Sequence, residues 1–135
     1  MATKKFLEKL ANVSPVDILG ENYHIVLHDK RWIQEGSPGT VNFPHRKIYL
    51  DTALENNAIL SLLIHEVLEV LNDRFDLHLE HNKICILGEL LIYIFKKNTE
   101  LGPLFTKFIT DCSGNLYDFK DFEETKNTQV EGLTP

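Results

Sequence analysis

The chain has 135 residues, of which 43% are hydrophobic and 25% are charged, and its formal net charge at pH 7 is −6. This length is enough for one domain with its own core, and the scattered lysines and arginines of an acidic chain disfavour a nucleic-acid partner. No apolar segment is long enough for a signal peptide or a membrane span, so we expect no membrane partner and a cytoplasmic location.

The N-terminal half is predicted to be a helix followed by a small sheet. The apolar spacing of residues 2–12 is typical of an amphipathic helix, and residues 14–19 are interpreted as a further turn that Gly20 ends. Three short segments with β-rich composition follow, and we predict strands at 22–28, 40–43 and 47–50.

The C-terminal half is predicted to contain two apolar helices. Thr52 and Glu55 have the spacing of a capping box, and the helix that they would begin is apolar on nearly all sides. A second apolar helix is predicted from about residue 80 to residue 97, and either a helix or a hairpin after residue 99. The predicted fold class is therefore α+β, with a single domain at 1–118 and a flexible acidic tail at 119–135.

The first of these two helices carries the sequence HEVLE at residues 65–69, which differs from the HExxH motif of zinc peptidases at its last position. His65 and Glu69 are four residues apart, so a helix presents both side chains on one face and offers two ligands to one metal ion. Glu66 lies about 100° further round the helix, from where its carboxylate could act as general base on a metal-bound water. We predict His65 and Glu69 as metal ligands and Glu66 as the catalytic residue.

The third ligand is predicted from the second helix. His81 lies in its first turn, with His78 as the alternative, and Cys85 and Gly88 share the face of His81. Small residues at those two positions would let the helices approach closely enough to bring His81 to the metal. Two histidines and one carboxylate are a common set of ligands for catalytic zinc, so the sequence predicts one zinc ion.

The motif also has an ordinary structural interpretation. On an amphipathic helix, Glu66 and Glu69 would face solvent and pair with Arg74 or Lys83, while His65 would be a hydrogen-bonded core histidine. A buried helix argues against this interpretation, because an unpaired buried carboxylate is costly.

The other histidines and the two cysteines carry weaker signals. Cys85 and Cys112 lack a CxxC spacing and are interpreted as small filler side chains. His24, His28 and His45 are interpreted as surface residues.

The order of these elements resembles a known family. The strand "KIYLD", the helix with "LLIHE" and the second apolar helix resemble the minimal zincin-type metallopeptidases, in particular small phage-encoded and prophage-encoded proteins, over residues 18–95. The resemblance implies metal ligands at His65, Glu69 and around Glu80-His81, with the general base at Glu66. For a phage-encoded protein it also implies the host cytoplasm.

Two functions follow as expectations. The first is a zinc-dependent hydrolase, specifically a peptidase, which would align an extended peptide along an edge strand at 40–43 or 47–50. The second is a non-catalytic protein of the same fold that binds a protein partner, with or without a metal.

Overall fold

The computed structural model of the chain describes residues 1–29 and 38–109 and has an α+β architecture, as predicted. The predicted domain end at residue 118, the tail at 119–135 and Cys112 lie outside these residues. The elements in chain order are α1 (Lys4–Val13), β1 (Val16–Ile18), β2 (Glu21–His28), β3 (Gly39–Asn42), β4 (Lys47–Asp51), α2 (Asn56–Phe75), α3 (His81–Lys97) and α4 (Leu101–Phe108). Among these helices, none combines the length and the apolar composition that crossing a membrane requires.

The sheet has four strands in the order β1-β2-β4-β3. β2 and β4 are parallel, and the other two neighbouring pairs are antiparallel. The core lies between this sheet and the helices, where Ile48 and Leu50 of β4 and Ile59 of α2 are fully buried. β3 forms the edge of the sheet within the described part of the chain, and α2 packs against both β3 and β4.

The prediction of three strands was wrong, because the segment interpreted as a further turn contains β1. Ile18 pairs with Glu21, and the two residues between them, Leu19 and Gly20, have φ values of 54° and 87°. A two-residue hairpin loop with positive φ at both positions matches the right-handed twist of paired strands. The Gly20 amide also donates a hydrogen bond of 2.7 Å to Asp17 Oδ1, which stabilises the turn.

The predicted capping box at the start of α2 was also wrong. The helix begins at Asn56, and its N-cap residue Glu55 makes no capping hydrogen bond through its side chain. The Glu55 carboxylate instead pairs with the amino terminus of Met1. Asp51 provides the local turn before the helix, since its Oδ1 accepts a hydrogen bond of 2.8 Å from the Ala53 amide.

The connection between α2 and α3 fixes where α3 begins. Asp76 ends α2 in the left-handed conformation, with φ at 52°. The Asn72 side chain then holds Leu79 by two hydrogen bonds, accepting from its amide at 2.9 Å and donating to its carbonyl at 3.2 Å. α3 therefore starts beside the last turns of α2, which brings its first residues close to the HEVLE segment.

The two helices approach closely at Gly88. A Cβ atom at this position would lie 3.5 Å from the carbonyl oxygen of Ser61 and 3.7 Å from the amide nitrogen of His65. Each of these distances is an ordinary van der Waals contact, so any side chain larger than a methyl group would push the helices apart. The prediction of a close approach at this small residue is confirmed.

Candidate metal centre

The first two residues of the HEVLE segment face the interior of the fold. His65 and Glu66 are buried, with 9% and 5% of their surface exposed, and the Glu69 side chain is 23% exposed. The ordinary structural interpretation is therefore wrong for Glu66, which does not face solvent. Arg74, one of the two cations of that interpretation, forms an ion pair with Glu21 of β2.

His81 of α3 lies beside the two predicted ligands of α2, His65 and Glu69. Glu69 Oε1 lies 3.4 Å from His65 Nε2 and 3.3 Å from His81 Nδ1. The two imidazole rings meet edge to face, with their centroids 4.8 Å apart. The structure thus brings together the three residues that the sequence predicts as ligands. His78, the predicted alternative to His81, is 80% exposed and pairs with Asp76.

Cys85 belongs to the same cluster. Its Sγ lies 3.6 Å from His81 Nε2, and one ligand atom each from His65, His81 and Cys85 fall within 4.8 Å of one another. Histidine nitrogen and cysteine sulfur are the preferred ligands of zinc. The sequence places Cys85 on the same face of α3 as His81, but that face was interpreted as a site of close helix packing and Cys85 as small filler.

Glu69 has two possible roles in this cluster. Its carboxylate faces the Nδ1 atom of His81, whereas the Nε2 atom of the same ring faces Cys85. A carboxylate that accepts a hydrogen bond from one imidazole nitrogen fixes the tautomer and directs the other nitrogen to a metal. Glu69 can therefore orient His81 with Cys85 as the third ligand, or bind the metal itself as the sequence predicts.

Glu66 is placed to exchange a proton near neutral pH. Burial, with a further contribution from the negative charge of Glu69, raises the pKa of the Glu66 carboxyl from its ordinary value of 4.5 to about 7. The carboxylate lies against the edge strand, because a Cβ atom on Gly39 of β3 would be 3.4 Å from Glu66 Oε1.

His65 is held in the form that binds metals. Burial lowers the pKa of its imidazole, Glu69 partly opposes this effect, and a charged His81 adds to it. The neutral imidazole is the ligand form of histidine, and a buried neutral ring needs no deprotonation before a cation binds.

Searches against protein-family models, curated proteins and solved structures found no match to this chain. The cluster of side chains does not by itself establish a zincin fold. The resemblance to zincin-type metallopeptidases therefore stays a prediction from the sequence.

Proposed function

We propose that the chain is a zinc-dependent hydrolase that cleaves peptides at the cluster formed by α2 and α3. The observation that carries the proposal is a cluster of side chains from two helices that could hold a metal ion, His65, His81 and Cys85, with a buried carboxyl group, Glu66, at the next position of α2 after His65. A divalent cation in such a cluster acidifies a bound water and polarises a substrate carbonyl. The proton of the attacking water would be taken up by a side chain of the protein, Glu66.

Glu66 is the general base in this proposal. A carboxyl group with a pKa of about 7 can take a proton from the attacking water and return it to the leaving amine near neutral pH. Its position supports the role, since it follows the ligand His65 directly in the helix and lies about 100° round from it. Glu66 can therefore face the same cation as His65 without binding it.

The edge strand supports peptides as the substrate class. β3 lies beside Glu66, and the described residues place no further strand along its outer side. An extended peptide can add to such an edge through main-chain hydrogen bonds, which would bring a peptide bond next to the carboxylate. Gly39 lets the carboxylate approach the strand closely, because a Cβ atom at this position would lie 3.4 Å from Glu66 Oε1.

A second candidate is a non-catalytic protein with a structural metal. Four side chains converge here: Glu69 Oε1 is within 3.4 Å of both imidazoles, and the Cys85 sulfur is 3.6 Å from one of them. Structural zinc is normally surrounded by four protein ligands, whereas catalytic zinc keeps an open position. This candidate agrees with the expectation of a partner-binding protein that holds a metal.

Metal content tests the site directly. Protein purified without chelator should contain about one zinc ion per chain by elemental mass spectrometry, the stoichiometry of a single site. His81→Ala should lose most of this zinc without unfolding, because the His81 side chain is 76% exposed. His45→Ala, which removes an exposed histidine from the turn before β4, is the matched control and should retain it. Absence of zinc from the unaltered protein would contradict both candidates.

The third ligand can be identified by cobalt substitution. We expect Cys85→Ser to weaken zinc binding by more than about 100-fold, and Glu69→Gln by about 10-fold to 100-fold, the usual effect of losing a residue that orients a ligand. The Co²⁺-loaded protein should show a thiolate-to-metal charge-transfer band that is lost in Cys85→Ser. Retention of Co²⁺ binding in Cys85→Ser, with its loss in Glu69→Gln, would instead support the ligand set His65, Glu69 and His81.

A further inference from the structure

α3 is apolar on nearly every side, although only one side packs against α2. Between Ile84 and Phe95 its only charged residue is Glu89. Ile84 and Gly88 are buried against α2, whereas Ile86, Leu90 and Tyr93 on the opposite side are 54%, 51% and 58% exposed. A helix that is apolar all round is normally buried all round. Residues 1–29 and 38–109 therefore leave an apolar side of α3 exposed that a partner could cover.

The exposed residues have the spacing of a coiled-coil seam. Ile86, Leu90, Tyr93 and Lys97 follow one another at intervals of four, three and four residues, which keeps them on one stripe of the helix. We call these four residues the α3 seam. The pattern indicates that the partner is another helix.

The two flanks of the α3 seam differ in chemistry. Leu87 and Ile94, each directly after a seam residue, make one flank apolar and are 39% and 40% exposed. Glu89 and Lys96, each directly before a seam residue, are both exposed and give the other flank one charge of each sign. Flanking positions of this kind determine the partner and the orientation of a coiled coil.

We propose that the partner is a second copy of this chain, with the two α3 helices packed antiparallel about a twofold axis. Symmetry requires each contact to occur twice. With Leu90 opposite the partner's Tyr93, an antiparallel arrangement places Glu89 beside the partner's Lys96. The same register places Leu87 beside the partner's Ile94. One register therefore satisfies the Leu90 and Tyr93 pairs of the seam, the apolar flank and the charged flank together.

The exposed area indicates a weak dimer. Five apolar side chains on each copy, about half exposed, would bury on the order of 1,000 Å² in total, which is the lower limit for a specific interface. We therefore expect a dissociation constant in the micromolar range. On the helix, Cys85 lies about 80° round from Tyr93 and about 40° from Glu89, so the charged flank borders the side of α3 that carries the metal cluster.

Charge reversal on the charged flank tests the register. In sedimentation velocity from about 1 to 200 µM, the unaltered chain should dimerise with a micromolar constant. Glu89→Lys and Lys96→Glu should each weaken the dimer about tenfold, because two attractive contacts become repulsive. The double variant should regain the original affinity, and an equimolar mixture of the two single variants should form a heterodimer. Glu8→Lys, the same charge change on the exposed side of α1, should have no effect.

Three results would overturn the proposal: a monomer up to about 200 µM, a dimer that is insensitive to either reversal, or a double variant that stays as weak as the single ones. If the chain is monomeric and binds vesicles of anionic lipid, the α3 seam is a membrane-binding surface instead. Circular dichroism shows whether each variant is folded, and both charged residues are exposed, so the fold should be unaffected.

Discussion

Glu66→Gln is expected to abolish peptide hydrolysis by the zinc-loaded protein while its zinc content stays at the original value. The amide has nearly the same shape as the carboxyl group, so it can occupy the same buried position beside Gly39. It cannot accept the proton of the attacking water, however, and loss of a general base lowers the rate by about 10² to 10⁴. The decrease should appear in kcat, since the residues proposed to bind substrate and metal are unchanged.

A quenched-fluorescence peptide library, assayed with and without a zinc chelator, is the appropriate measurement because it does not presuppose a sequence preference. Glu8→Gln, an exposed substitution in α1, is the matched control and should behave as the unaltered chain. Zinc binding without cleavage by any variant would reject the peptidase and support the structural metal site. Loss of zinc from Glu66→Gln would show that Glu66 is a ligand and not a base.

The positions of the candidate site residues follow from the sequence to different degrees. Helical geometry alone places His65 and Glu69 on one face, and the buried character of α2 follows from its apolar composition. The approach of His81 could be predicted because Gly88 allows close packing of the two helices. The proximity of Cys85 to His81 also follows from their four-residue spacing, but its proximity to His65 depends on how the two helices pack, which three-dimensional contacts set.

The errors in the fold have similar local causes. β1 was missed because its hairpin loop has Leu19 at a position where asparagine or glycine is the usual signal for positive φ. The start of α2 was placed too early because the sequence cannot show that Asp51 caps a separate turn or that Glu55 pairs with the amino terminus. At the start of α2, then, the side chains of Asp51 and Glu55 use partners other than the amides of the helix.

The second large effect is expected in the stability of the metal-free protein. The pKa of Glu66 is about 7 in the folded chain and 4.5 when the group is solvated as in an unfolded chain, so the folded state holds a proton that the unfolded state has released. Stability from this group is therefore complete below pH 4.5 and is lost as the pH rises toward 7. The difference corresponds to about 3 kcal/mol in the free energy of unfolding.

Glu66→Gln should remove this dependence, since glutamine does not titrate. Urea unfolding in chelator between about pH 4.5 and 8 should show similar free energies for the two proteins at the acid end and a more stable variant, by about 3 kcal/mol, at the alkaline end. Every other titrating group affects both proteins equally. The pH dependence of the difference between their free energies of unfolding therefore reports the titration of Glu66 alone. Parallel profiles over this range would show that burial does not raise the pKa of this group.

Zinc should remove the difference in stability between the two proteins at the alkaline end. A cation in the cluster favours the ionised carboxylate, so the alkaline loss of stability in the unaltered protein should disappear when zinc is added. Bound metal also stabilises the folded state in proportion to its affinity, and the unaltered protein should gain more from zinc than Glu66→Gln, because its ionised carboxylate attracts the cation. The same buried carboxyl would thus destabilise the empty site and serve as base in the loaded one, which is the compromise expected where function requires a buried charge.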